Sequence, residues 1–209
     1  MSEGTKIEQL RQIRDEVVNL KTSPLYEYRL QNNYHSVLGE GSHDAEVMFV
    51  GEAPGLNEAK QGGPFCGAAG RVLDELLASI GLPRKDVYIT NIVKDRPPGN
   101  RDPLPEEIAF YAPFLMRQIE IIQPKIIVTL GRISMGIIFE KFGLSGELTT
   151  ISKMHGQAYD AHASYGPIKI VSLYHPAVGT YNPHTIETMK TDFQIIKKLL
   201  EGKAVIIKA

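Results

Sequence analysis

Apolar residues recur at Ile7, Leu10, Ile13, Val17 and Leu20, the stripe of one helix, predicted over about residues 5–21 and closed by Pro24. The pattern then changes period. "EVMFVG" (46–51) is dense in β-formers and predicts a short buried strand, and "VYITNIV" (87–93), "KIIVTLG" (125–131) and "IKIVSLY" (168–174) predict three more. Helical spacing returns over 70–81, with Gly81 as C-cap, from Pro105 onward, where Glu106 and Glu107 suit a first turn, over 132–143, and from about His184 to Leu200. The stretch before residue 168 reads as the first arm of a hairpin or meander, and a short basic tail fills about 201–209. Strands that are apolar throughout and alternate with helices predict a three-layer α/β/α arrangement around a mostly parallel, four-stranded central sheet. A length of 209 residues suits one domain over 1–209.

Composition narrows the chemistry. The formal net charge is -1, so no bulk positive field draws the chain to a polyanion, and any such contact must come from a local patch. The single cysteine, Cys66, excludes an internal disulfide, a four-cysteine zinc site and a four-cysteine iron–sulfur cluster. The six histidines lack zinc spacing. No apolar run approaches the ~18 residues of a membrane helix, and no secretory signal is recognisable, so no membrane association and a cytoplasmic location are expected.

In a parallel sheet, ligands bind beyond the carboxyl ends of the strands. Three unusual loops fall there: "GEAPGLNEAKQGGPFCGAAG" after the first strand, "NIVKDRPPGNR" after the second and "YHP" after the fourth. Together with "TNIVKDRPPGNRDPLPEE" and "LYHPAVGTYNP" (173–183), in that order, they closely resemble the motifs of the family 4 uracil-DNA glycosylases, from about Leu25 to Leu200.

The resemblance implies a uracil-DNA glycosylase-like fold and a monofunctional enzyme that hydrolyses the N-glycosidic bond of uracil turned out of DNA. Phe65 is then the stacking platform for the base. Asn91 offers a donor and an acceptor side by side, which match N3–H and O4 of uracil and mispair with cytosine. His175, held extended by Pro176, would donate to O2 of the departing base. Glu52 would orient water and stabilise the cationic sugar. By the same resemblance Ala53 and Glu58 line the base pocket, Glu58 near C5 where it could exclude a thymine methyl. Lys94, Arg96 and Arg101 are the expected phosphate contacts.

The chain also departs from the family. Most members hold a 4Fe–4S cluster on four cysteines; the aligned positions here are Leu20, Ser23, Asp95 and Tyr111, so no cofactor is expected. Asp95 is expected to pair with Arg96, Arg101 or another nearby base. After "HPA", the family's leucine wedge and arginine are replaced by Val178, Gly179, Thr180 and Tyr181, which leaves Tyr181 as the candidate wedge and favours single-stranded DNA. The insertion that carries an added histidine in covalent-trapping relatives is missing, so hydrolysis without a trapped product, by a monomer, is the expectation. Two other readings stay open: the same fold acting on hypoxanthine or xanthine, and a catalytically silent binder of DNA or nucleotides.

Overall fold

The structure, a computed structural model, describes residues 5–182, 184–205 and 207–208, the last two as backbone only. Pro183 of the histidine motif and the end of the basic tail lie outside the described residues. In chain order the elements are α1 (Lys6–Val18), α2 (Tyr26–Gln31), β1 (Glu40–Gly41), β2 (Val47–Gly51), α3 (Leu56–Gln61), α4 (Ala68–Ser79), β3 (Tyr88–Asn91) and α5 (Pro105–Ile122). Then come β4 (Ile126–Leu130), α6 (Arg132–Lys141), α7 (Ile151–Met154), β5 (Gln157–Ala163), β6 (Gly166–Leu173), α8 (Ala177–Tyr181), α9 (His184–Leu200) and β7 (Ile207–Lys208).

The sheet runs in the order β1-β3-β2-β4-β6-β5-β7. Its centre, β3-β2-β4-β6, is parallel throughout, the four strands that the apolar runs predict. The flanks add β1 and β5, both antiparallel to their inner neighbours. The first arm expected before residue 168 is β5, which forms a hairpin with β6, whereas β1 is only two residues long and leaves no pattern in the sequence. Alternate side chains of the central strands face opposite layers. Met48, Val50 and Ile127 pack under α1, α5 and α6, whereas Val47, Phe49 and Val128 pack under α4 and α9. Every residue of β2, β3 and β4 is buried, which is why these strands read as continuous apolar runs.

Several boundaries differ from expectation for local reasons. Helix α1 stops well before Pro24, because Asn19 caps it: its side-chain amide donates to the Asp15 carbonyl at 2.8 Å. Strand β3 ends at Asn91, since the Ile92 and Val93 amides turn back to the carbonyls of Gly51 and Glu52 at 3.1 and 3.0 Å.

The N-terminal segment is tied to the sheet by a buried polar network. Asp95, 1% exposed, accepts from the Ser36 hydroxyl at 2.5 Å and from the Tyr111 hydroxyl at 2.6 Å. The Arg29 guanidinium pairs with its second oxygen at 3.2 Å, and the Ser23 hydroxyl lies 2.7 Å from the Tyr111 hydroxyl. The partner of Asp95 is therefore Arg29 of α2, neither Arg96 nor Arg101. Burial pushes the Asp95 carboxyl up, against the opposing pull of Ser36, Tyr111 and Arg29. Removing the central hydroxyl leaves a buried carboxylate short of a donor. Tyr111→Phe is expected to lower stability by about 1–3 kcal/mol, read as an earlier urea midpoint at unchanged slope. An unaltered midpoint would show that the network carries no stability.

Candidate active site

The parallel strands set the place of the site. The chain passes from β2 to β3 on one side, then returns through α5 to β4 on the other, so a crevice opens beyond the carboxyl ends of β2 and β4. Glu52 follows β2, Asn91 ends β3, Gly131 follows β4, and His175 lies two residues beyond β6. Four separate strands thus deliver one cluster.

Asn91 is 2% exposed, and its side-chain oxygen has no hydrogen-bond partner. An orphaned buried acceptor is costly and marks a group prepared for a ligand. That oxygen and the edge of the Phe65 ring both stand over Gly51, where a Cβ would overlap them. Phe65 itself has φ 48°, a left-handed conformation that aromatic residues rarely adopt and that costs about 1–3 kcal/mol. Gly70, at the start of α4, packs so closely on the Phe65 carbonyl that a side chain there would displace it. The glycines of this loop therefore hold an aromatic ring in a strained pose at the rim.

The Phe65 and His175 rings lie 5.5 Å apart between centroids, inclined by 30°. Gly131, with φ 93°, leaves room for His175; a Cβ there would stand 3.1 Å from that of the histidine. The Ala177 amide donates to His175 Nδ1 at 3.1 Å, so the neutral ring carries its proton on Nε2. Burial lowers the His175 pKa to about 4. The imidazole at neutral pH is thus an uncharged donor of fixed tautomer.

Glu52 is half-buried. Burial raises its pKa first and the Asp102 charge second, with Arg132 opposing. Asp102 and Arg132 are exposed and form an ion pair with each other. Arg132 was missed in the sequence as a member of this rim. The available signal was its position directly after β4, where a parallel sheet places its ligands. Glu58, also half-buried, points its carboxylate at the backbone of Gly55 and Gly67 within the glycine-rich loop. Ala53 packs against the core layer under α1, α5 and α6.

The expected phosphate contacts need correction. Lys94 is 0% exposed; its ammonium points inward to Thr90, Asn91 and Gln118. Arg96, 8% exposed, is held by Asn100 at 2.7 Å and the Tyr28 hydroxyl at 3.0 Å, and lies over the Tyr34 ring. Neither can reach a phosphate here, because basic residues in a sharply turned loop were drawn into the fold by its own acceptors. Arg101 remains exposed, forked onto Glu107 at 2.8 and 2.6 Å. Tyr181, at the end of α8, is 88% exposed.

A 4Fe–4S cluster requires thiolates. At the aligned positions, Ser23, Tyr111 and Asp95 are hydrogen-bonded in series, and Leu20 packs against the core. This donor set does not fit the cluster, and among the described residues no group of histidine, cysteine and acidic side chains is arranged to hold a metal ion.

Comparison with known proteins bears on the family of the chain. The family model described as the uracil DNA glycosylase superfamily matches residues 38–200. A Type-4 uracil-DNA glycosylase of Archaeoglobus fulgidus is 45% identical over 197 residues, covering 94% of this chain and 96% of the relative. Those of Sulfurisphaera tokodaii and Saccharolobus solfataricus are 45% and 43% identical, each over 92% of this chain and 86% and 87% of the relative. With the family model matching residues 38–200 and relatives 43–45% identical over more than nine-tenths of its length, the chain belongs to the uracil-DNA glycosylase superfamily.

Proposed function

We propose that this chain removes uracil from DNA, hydrolysing the N-glycosidic bond of the flipped nucleotide and leaving an abasic site. The observation that carries the reading is the unpartnered Asn91 oxygen beside the Phe65 ring. A flipped uracil stacked on Phe65 offers N3–H to that oxygen and O4 to the amide nitrogen of the same side chain. Cytosine offers an acceptor at N3 and a donor at N4, which leaves both ends of the carboxamide mispaired.

As the bond breaks, electrons pass to the base and negative charge grows on O2. His175 Nε2–H donates there while remaining neutral, which needs no proton transfer to the base in that step. Positive charge grows on the sugar at the same time. The Glu52 carboxylate stabilises it and orients a water, whose oxygen bonds to C1′ and whose proton passes to the carboxylate or to solvent.

The enzyme works as one domain without an iron–sulfur cluster. The support is the single cysteine and the hydrogen-bonded set Ser23, Tyr111 and Asp95 at the cluster-ligand positions. Single-stranded DNA is the favoured substrate, because the exposed Tyr181 is an aromatic ring suited to stacking rather than an aliphatic wedge. The enzyme acts as a cytoplasmic monomer, with Arg101 and Arg132 as the exposed cations of the rim that meet phosphates.

Oligonucleotides carrying uracil, hypoxanthine or xanthine, single- and double-stranded, followed by alkali cleavage, test the reading. Breaks are expected at uracil, fastest in single strands, and not at the purines. Breaks at the purines alone would transfer the activity to them, and breaks nowhere would leave a silent binder. Asn91→Ala and His175→Ala should each lower the single-turnover rate by about 10²–10³-fold. The pH dependence has a defined sign. Activity needs ionised Glu52, whose pKa is raised, so the rate falls on the acid side at a pH above that of an ordinary carboxylate. His175 is already neutral there and does not set that limb. His175→Gln should lower the rate without moving the acid limb; a limb that moves with His175 would overturn the assignment to Glu52.

A further inference from the structure

Lys94 is completely buried, yet among the described residues no carboxylate lies within ion-pairing distance of it. The chain bends directly after β3, and the Lys94 side chain folds back beneath the strand end that it has just left. Its ammonium donates to the Thr90 hydroxyl oxygen at 2.8 Å, the Asn91 carbonyl at 2.6 Å and the Gln118 side-chain carbonyl at 2.6 Å. The Thr90 hydroxyl and the Gln118 amide group spend their own protons on the Leu38 carbonyl, at 2.7 and 2.8 Å. Both therefore present acceptors to Lys94. Burial pulls the Lys94 pKa well below its usual value, and three acceptors that match the three N–H bonds of one ammonium oppose that pull.

Such a group is not explained by stability, because taking a charge out of water is costly and an apolar side chain of similar size would fill the space. Its position suggests another purpose. Asn91 sits where β3 leaves the ladder. On one side of the following peptide, the Ile92 amide is fixed to the Gly51 carbonyl at 3.1 Å. On the other, the Asn91 carbonyl is fixed by Lys94. The peptide that carries the base-reading carboxamide is thus held at both ends, and the side-chain oxygen it aims has no partner of its own.

We infer that Lys94 is a positioning residue for base selection: by holding the Asn91 carbonyl from beneath, its ammonium aims the Asn91 carboxamide at the base without touching DNA. This rests on Asn91 being the base reader. Thr90 and Gln118 act one step further back, by orienting the ammonium.

The test compares wild type, Lys94→Met, Thr90→Val and the double variant Lys94→Met with Gln118→Leu. For each, single-turnover uracil excision, uracil-to-cytosine selectivity, binding to DNA carrying a stable abasic-site analogue, and thermal midpoint are measured. Lys94→Met should slow excision by about 100-fold and narrow the selectivity, because a displaced reader loses the productive geometry. Affinity for the abasic analogue should stay within about threefold, since no base is read there. Thr90→Val keeps the ammonium but loosens it, and should show the same split to a smaller degree.

The double variant removes an acceptor that Lys94→Met alone would orphan. It should regain thermal stability relative to the single variant while remaining slow. Excision that recovers together with the midpoint would make Lys94 merely structural, as would a slow Lys94→Met whose abasic-DNA affinity falls in parallel. If Lys94→Met does not fold, an unchanged excision rate and selectivity in Thr90→Val overturn the inference. A wild type inactive on uracil, or an Asn91→Ala variant of full activity, would instead defeat the functional reading on which it rests.

Discussion

The parallel register of β3, β2 and β4 is the constraint on which the site depends. Gly51 lies opposite Asn91, and Val50 lies opposite Thr129, so the three strands end on one rim. A parallel strand cannot turn back on itself, so each end must lead into a loop and a crossover helix. Those loops carry Glu52, Phe65, Asn91 and Gly131 to one crevice, and β6 brings His175 to the same edge. A slip of one residue in this register would turn Asn91 to the opposite face and take its carboxamide away from Gly51 and Phe65.

Glycine makes the crowding at that rim possible. Gly51 lets Asn91 and Phe65 share the space above a backbone, Gly70 admits the Phe65 carbonyl, and Gly131 accepts the His175 side chain. Phe65 holds a left-handed backbone conformation at this point. Strain of this kind persists only where the surroundings over-determine it, and here it fixes a flat ring beside Asn91 and His175. The electrostatics follow the same division. His175 is made a neutral donor by burial, and Glu52 is kept from full solvation beside Asp102 and Arg132.

Two buried polar sets brace the loop after β3 from opposite directions. Lys94 reaches back under the strand end, while Asp95, its neighbour, reaches outward to Ser36, Tyr111 and Arg29. The second set includes three of the positions, Ser23, Asp95 and Tyr111, that the family resemblance aligns with cluster ligands. Hydroxyls and one ion pair make a long-range connection here, joining α2 to α5 through the loop. Such a network holds its geometry only while every member is satisfied, which places Tyr111 at its centre.

Much of this was legible in the chain itself. The unbroken apolar runs marked the four central strands, because strands buried on both faces leave no room for alternation. The family resemblance of the motifs around Glu52, Phe65, Asn91 and His175, and the position of their loops after the strands, pointed to one rim, and the fold brings Phe65, Asn91 and His175 together there. The edge strand β1 left no signal, since two residues of ladder require no pattern. The basic residues of the second loop were misread for a related reason. A sequence shows that Lys94 and Arg96 are cations, but only the fold shows which acceptors surround them. Lys94 met three inward acceptors and Arg96 met Asn100 and Tyr28, whereas Arg132 was left at the surface beside Asp102. The partner of Asp95 was hidden likewise, for Arg29 lies far away along the chain and close only once α2 has docked. Residue type and local period are properties of the sequence; whether a charge faces water or the interior is decided by contacts between distant segments, and those exist only in the folded molecule.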